Sequence, residues 1–358
     1  MPTSLQELSL PHAASLKPAP VIARDTFNRP LHDLRISVID QCNFRCNYCM
    51  PSEEYHEGYS FLKKDQWLTF DEITRLAKIF STLGVSKIRV TGGEPLLRQN
   101  LPSLIERLSE LSRVEDIALT TNGIFLAKCA PQLKSAGLKR LTISLDTLND
   151  ETFHRMNGNR GSVEDVLRGI NAAQNAGFHS IKINAVIQKG INDGDILNLV
   201  RYFKKSGHIL RFIEYMDVGN RNHWDLARVV PSKEILKHIQ TEFPLRTLEP
   251  NYHGEVAERY AFEDGEGEIG FISSITQPFC RTCTRARLST DGKFFTCLFA
   301  SDGVDLRDPL RNGASDQDLL ELICGVWQKR EDRYSEIRLK TSPQEKRPRK
   351  IEMYQIGG

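Results

Sequence analysis

The sequence predicts an α/β fold: a partial (β/α)6 barrel of TIM-like form, with a small β-rich region at its C-terminal end. Three observations predict it. Between Arg35 and Met216, strand-like apolar runs alternate with amphipathic helix-like runs about six times, the pattern of a parallel sheet with helical crossovers. Four of the helical runs stop at a glycine, at Gly84, Gly137, Gly177 and Gly207, a common helix stop. Residues with chemical character gather at the trailing ends of the strands, the face on which such folds build sites. A curved, barrel-like sheet is expected rather than a flat doubly wound one.

The elements follow in order. Leu34 to Ile39 alternates apolar and polar residues, as a strand does,. Thr69 and Glu72 make a capping pattern that opens a helix over Asp71 to Leu83,. Lys87 to Val90 is a short strand running into Thr91-Gly92-Gly93-Glu94-Pro95. Leu101, Leu104, Ile105, Leu108 and Leu111 recur at helical spacing,. Strands over Asp116 to Thr120, Arg140 to Asp146, Ile181 to Ile187 and Leu210 to Met216 then interleave with helices over Leu126 to Ala136, Val163 to Ala176 and Asp195 to Lys205. The pattern changes beyond Asp217. One helix over Ser232 to Phe243 precedes strand-like runs over Glu255 to Phe262, Glu268 to Ser274, Ala286 to Ser289 and Lys293 to Leu298. Asp291-Gly292 between the last two is a hairpin signal. Leu319 to Lys329 is a final helix, before a basic tail ending in Gly357-Gly358.

Composition bounds the class. At 358 residues, 40% hydrophobic and 26% charged, the chain is an ordinary globular one,. The net charge of +2 gives no whole-protein field for an anionic partner, so any anion site must be local,. No apolar run reaches the roughly 18 residues of a membrane helix. The first residues, with Pro11, Lys17, Pro18 and Pro20, make a poor signal peptide and read as a flexible extension,. The expected organisation is an extension over 1–24, a barrel over 25–218, a C-terminal region over 219–340 and a basic tail over 341–358.

Six of the eight cysteines fall into two trios. Cys42, Cys46 and Cys49 are spaced Cys-x₃-Cys-x₂-Cys, and Cys280, Cys283 and Cys297 are spaced Cys-x₂-Cys-x₁₃-Cys. Cys129 and Cys324 stand alone in helix-like segments and read as packing residues,. Short reused spacings point to metal rather than disulfides, which with no export signal suggests a reducing cytoplasm. Thiolates suit the iron of an iron–sulfur cluster, or zinc. Structural zinc takes four protein ligands. The first trio supplies three, with only His56 nearby. Arg285 and Arg287, two apart on a strand, face one way beside the second trio, and guanidinium forks bind phosphate bidentately. His154, His223 and His253 read as surface or hydrogen-bonded residues; Trp67, Trp224 and Trp327 as packing.

Cys-x₃-Cys-x-aromatic-Cys on the loop after the first strand, with Gly92-Gly93-Glu94-Pro95 after the second, resembles the radical S-adenosylmethionine superfamily. Cys280-Arg281-Thr282-Cys283-Thr284-Arg285-Ala286-Arg287 with Cys297, Asp33-Leu34-Arg35, Phe212 to Gly219 and the terminal Gly-Gly narrow the resemblance to the GTP 3′,8-cyclase family of molybdenum cofactor synthesis, from about Asp25 to the end of the chain.

The resemblance implies two [4Fe–4S] clusters, one on Cys42, Cys46 and Cys49, the other on Cys280, Cys283 and Cys297. The first would leave one iron open for S-adenosylmethionine, bordered by Tyr48, Gly93, Ser144 and Met216. The second would leave one open for the guanine of GTP, with Arg35, Arg89, Thr120, Lys182, Thr284, Arg285, Ala286 and Arg287 contacting that substrate. A 5′-deoxyadenosyl radical would take the ribose C3′ hydrogen, the C3′ radical would add to guanine C8, and a second electron with a proton would then give (8S)-3′,8-cyclo-7,8-dihydroguanosine 5′-triphosphate. The implied partners are an external low-potential electron donor and a downstream cyclic pyranopterin monophosphate synthase, with no membrane and no nucleic acid; a homodimer is left open. Alone, the basic tail reads as loose surface; in the family it reaches the active site, which implicates Gly357 and Gly358. A peptide-modifying two-cluster enzyme and a nucleic-acid-binding zinc protein are the alternatives.

Overall fold

The computed structural model describes residues 22–252, 254–338 and 349–358. The first extension up to residue 21, His253, Lys346 and Arg347 lie outside them. The barrel elements are β1 (Asp33–Ser37), α1 (Phe70–Thr82), β2 (Lys87–Thr91), α2 (Leu101–Ser109), β3 (Asp116–Thr121), α3 (Leu126–Ser135), β4 (Arg140–Ser144), α4 (Asp150–Asn157), α5 (Val163–Asn175), β5 (Lys182–Ile187), α6 (Ile196–Phe203) and β6 (Ile209–Glu214). After them come α7 (Ser232–Gln240), β7 (Leu245–Leu248), β8 (Glu258–Phe262), β9 (Glu268–Ile272), β10 (Arg285–Leu288), β11 (Lys293–Phe295), β12 (Val304–Asp305), α8 (Arg307–Arg311), α9 (Asp316–Gln328), α10 (Tyr334–Ile337) and α11 (Met353–Ile356).

The six parallel strands lie side by side in chain order, as a sequence of right-handed βα crossovers requires,. The C-terminal strands extend the same sheet at both edges. β10 pairs in parallel with β1, setting Asp33 against Arg285 and Arg35 against Arg287. β9 pairs in parallel with β6. The β-rich region is therefore continuous with the barrel sheet. The expected hairpin is present, with β10 and β11 antiparallel and Gly292 at a φ of 82° between them.

Local signals act as expected. Thr69 Oγ1 accepts from the Glu72 amide at 3.2 Å, and Glu72 Oε2 accepts from the Thr69 amide at 2.7 Å, closing the first turn of α1,. Expected strands overrun at their trailing ends: β4 stops at Ser144 and β6 at Glu214. Asp146 and Met216, the residues beyond, leave the sheet and turn into a cavity. α4 was not expected. Its eight residues are too polar for a clear period, but Asn149 accepts from the Thr152 amide at one end and Gly158 is left-handed at the other,.

Strand pleating sorts the side chains. Leu34, Ile36, Ile88, Val90, Leu119, Ile143, Ile183, Ala185, Phe212, Ala286 and Leu288 are buried in one hydrophobic core with the helices. The alternate residues face the barrel interior. Where barrel interiors are normally filled by branched aliphatics, this one is polar and forms a lumen. No described helix is long and apolar enough to cross a membrane.

Candidate active site

The first trio sits on the loop after β1, and neighbouring loops pin that loop from three sides. Gly93 donates its amide to Ile39 O at 2.7 Å, and Glu94 to Gln41 O at 2.8 Å. A Cβ on Gly93 would lie 2.2 Å from Gln41 O. The backbone just before Cys42 therefore approaches too closely for any residue but glycine here,. The Glu94 carboxylate in turn takes the Asn122 amide at 2.8 Å and Thr121 Oγ1 at 2.7 Å. Asn122 Nδ2 donates to Asn43 Oδ1 at 2.8 Å. From below, the Arg45 guanidinium donates to Cys42 O at 2.7 Å and to Tyr55 O at 2.6 Å. Burial pushes the Glu94 carboxyl up to about 7, against the pull of these donors.

Burial also raises all three thiols, Cys42 to about 12, and the neighbouring sulfurs raise Cys46 further. Such thiols do not ionise unaided; bound to iron they are deprotonated outright. Among the described residues no three His, Cys, Asp or Glu side chains converge as on a single ion. The donor set is three half-buried thiols at each site, soft ligands of the kind iron–sulfur clusters take.

The second trio lies at the opposite end of the barrel. Cys283 precedes Arg285, which is paired with Asp33 at the start of β1, whereas Cys42 follows the end of β1. Arg285 Nε and Nη2 donate to Cys283 Sγ at 3.3 and 3.2 Å. Burial opposes ionisation of Cys283, but the Arg285 and Arg330 charges bring it down to about 6. Burial holds Cys297 up at about 12.

One lumen joins the two ends. It is lined at the first by Tyr48, Ser144, Asp146 and Met216, and at the second by Cys280, Cys283 and Cys297. Between them lie Arg35, Arg89, Thr120, Lys182, Arg285 and Arg287, as the sequence suggested, spread along its height rather than confined to the strand C-termini. Gly358, the last residue, also reaches it. Thr284 and Ala286 do not line it: Thr284 Oγ1 donates to Asp33 Oδ2 at 2.6 Å, and Ala286 packs in the core. Sequence reasoning missed Lys87, Arg140, Thr142, Asn184 and Arg211, which also line the lumen. Each sits at an inward position of its strand, but which face is inward shows only in the folded sheet.

Among the described residues, nine basic and four acidic side chains line the lumen, a formal excess of five positive charges. They crowd each other. Burial, then Arg287, Arg285 and Arg89, lower the Arg35 pKa. Burial, then Arg211, Arg140 and Arg89, bring Lys182 down to about 7. Few anions are present to balance them: Arg89 Nη1 donates to the hydroxyls of Thr120 and Thr142 at 2.9 and 3.0 Å, and Arg211 Nε to Asn184 Oδ1 at 2.9 Å. A polyanion in the lumen relieves this repulsion. At the other end Tyr48 donates to Asp146 Oδ2 at 2.8 Å, and burial raises Asp146 to about 6.

His154 is half-buried and shares a hydrogen bond with Gly161 O. Trp327 is fully buried, Trp67 is buried, and Trp224 Nε1 donates to Tyr215 O at 2.8 Å.

The family model described as the Radical SAM superfamily matches residues 36–203. That described as Molybdenum Cofactor Synthesis C matches residues 208–336. The chain is 54% identical over 319 residues to a GTP 3′,8-cyclase of Acidothermus cellulolyticus, covering 88% of each chain. It is 50% identical over 335 residues to a GTP 3′,8-cyclase of Xanthomonas campestris pv. campestris, covering 94% of this chain and 97% of that one. A GTP 3′,8-cyclase of Staphylococcus saprophyticus is 47% identical over 335 residues, with 93% and 98% covered. With both halves of the chain matched and relatives this similar over nearly their whole length, the chain belongs to the GTP 3′,8-cyclase family of radical S-adenosylmethionine enzymes.

Proposed function

We propose that this chain converts GTP to (8S)-3′,8-cyclo-7,8-dihydroguanosine 5′-triphosphate, the first step of molybdenum cofactor synthesis. One observation carries the reading: a single cationic lumen runs from residues beside the first cysteine trio to all three cysteines of the second. Enzymes of this superfamily use a [4Fe–4S] cluster and S-adenosylmethionine. Here Cys42, Cys46 and Cys49 would hold that cluster, and Tyr48, Gly93, Ser144 and Met216 would border S-adenosylmethionine. Together the two supply, when bound, a 5′-deoxyadenosyl radical able to take the ribose C3′ hydrogen before C3′ bonds guanine C8.

Cys280, Cys283 and Cys297 would hold a second [4Fe–4S] cluster and seat the guanine. Arg35, Arg89, Lys182 and Arg287 would hold the triphosphate, whose roughly four negative charges match the cationic excess. Thr120 Oγ1 accepts from Arg89 Nη1 at 2.9 Å and steadies that guanidinium in the lumen. The chain's contribution is positioning and exclusion of water: C3′ must face the first site while the base stays at the second. Electrons would come from an external low-potential donor, and a cyclic pyranopterin monophosphate synthase would take the product. A reducing cytoplasm suits the six thiols.

Anaerobic incubation with GTP, S-adenosylmethionine and dithionite, followed by mass analysis, tests the reading. The expected result is a product isomeric with GTP but reduced at the 7,8 bond, alongside methionine and 5′-deoxyadenosine. A colourless protein containing zinc and no iron would sink it.

A further inference from the structure

A buried ionic cluster lies behind the second trio, built from residues far apart in sequence. Asp25 and Arg29 precede β1, and Arg330 follows α9. Asp25 Oδ2 accepts from Arg29 Nε at 2.5 Å and from Arg330 Nη1 at 3.2 Å, and the three side chains are at most 2% exposed. Burying two guanidiniums and a carboxylate is no economical way to gain stability; well-packed apolar residues do as well or better. Such a cluster instead specifies geometry, and its other hydrogen bonds show which geometry.

Arg29 Nη1 donates to the carbonyl of Cys280 at 2.7 Å. Arg330 Nη1 donates to the carbonyl of Cys283 at 2.8 Å. Asp332 completes the set: its carbonyl accepts from Arg29 Nη1 at 2.9 Å, and its Oδ2 accepts from Arg330 Nε at 3.3 Å and from Thr296 Oγ1 at 2.6 Å. Thr296 is the neighbour of Cys297. All three cysteines are therefore tied, at their own or the adjacent residue, to one buried network. Arg29 Nη2 is buried with no partner among the described residues. The Trp327 indole holds the arrangement from behind, donating to Arg29 O at 3.2 Å.

We propose that Asp25, Arg29 and Arg330 are positioning residues for an iron–sulfur cluster on Cys280, Cys283 and Cys297, an inference that rests on reading the second trio as a cluster seat. The network ties together three ligands drawn from two separate loops, and Arg330 brings positive charge to bear on Cys283 and Cys297. Outer-shell partners of this kind control metal affinity and potential. Arg29 is the member to vary, since it does not line the lumen.

The test compares anaerobically reconstituted wild type, R29M and R29K, each as the full chain, by iron count, electron paramagnetic resonance of the reduced protein and redox titration. A wild type with two [4Fe–4S] clusters holds about eight irons. R29M is expected either to fall to about four, or to keep both clusters with the second at a more negative potential. R29K, which keeps the charge but loses the fork, is expected between the two. R29M with unchanged iron, spectrum and potential would overturn the proposal. So would loss of both clusters together, which marks a general folding role. A wild type that itself holds only about four irons, with C280A unchanged from it, would instead remove the cluster reading beneath the proposal.

Discussion

Arg287, on β10, donates to the carbonyl oxygen of Gly357 at 2.7 Å, joining the penultimate residue of the chain to an arginine of the lumen. Gly357 has a φ of 72°, and a Cβ there would meet Thr91 Cγ2 at 2.0 Å. The end of the chain is thus a fitted part of the site. G357A is expected to undock it at a cost of at least ~1–2 kcal/mol from the left-handed backbone alone. Cyclisation should fall about tenfold or more, while cleavage of S-adenosylmethionine without product continues. Equal cyclisation in both proteins would show the contact to be incidental.

Asp217 anchors the same tail further back. Its carboxylate takes Arg338 Nη1 at 2.5 Å, Lys350 Nζ at 2.9 Å and the Tyr334 hydroxyl. Burial works against the charge, but Lys350 and Arg338 hold its pKa below the ordinary carboxylate value. D217A leaves two buried cations without this carboxylate, a change of about 3–5 kcal/mol. Denaturant titration should show the loss, and limited proteolysis should clip the C-terminus first. The wild-type stabilisation is present above the unfolded carboxylate pKa and fades as pH falls through the lower folded value.

R285A and R287A separate the two ends of the lumen. Each is expected to lose cyclisation while uncoupled cleavage of S-adenosylmethionine persists. Should both variants still make product, the assignment of these arginines to GTP is wrong.

Lys182 gives a pH signature. Its folded pKa of about 7 reflects burial, then Arg211, Arg140 and Arg89. A bound triphosphate raises it, so GTP binding takes up a proton once the free lysine has lost its own. Affinity should be flat below about pH 7 and weaken above it, by up to about tenfold per unit. Calorimetry in two buffers of different ionisation enthalpy at pH 8 should show uptake, and K182M should abolish the uptake. Unchanged uptake in K182M would assign it to another group.

G93A tests the pinning of the first loop. Its new methyl would stand 2.2 Å from Gln41 O, and backbone has nowhere to yield without moving Cys42. The variant is expected to lose the first cluster, about four irons per chain, and with it all cleavage of S-adenosylmethionine. Full iron content would show that the loop can shift freely.

The parts of this architecture written in local sequence were legible. β1 to β6, the Thr69–Glu72 cap and the Asp291-Gly292 hairpin all carry short-range signals. Both trios and Arg285 and Arg287 announced themselves by spacing. What stayed hidden depends on pairing between distant segments. Nothing near Arg285 says that its strand joins β1, yet that pairing alone puts the second trio at the far end of the barrel. Lys87, Arg140 and Arg211 look like surface charge until the sheet curves and turns them inward. Asp25 and Arg330, 305 residues apart, have no signature at all before the chain is folded.

The parallel pairing of β1 with β10 makes β1 a ruler. At about 3.3 Å per residue, its five residues span about 13 Å. That length is the fixed part of the gap between the two cysteine trios, which sit on loops beyond its opposite ends. Removing one residue would shorten the gauge by a single graduation and also turn Arg35 to the wrong side of the sheet. Distance and polarity in this site are read off the same short strand, so neither can be retuned without the other.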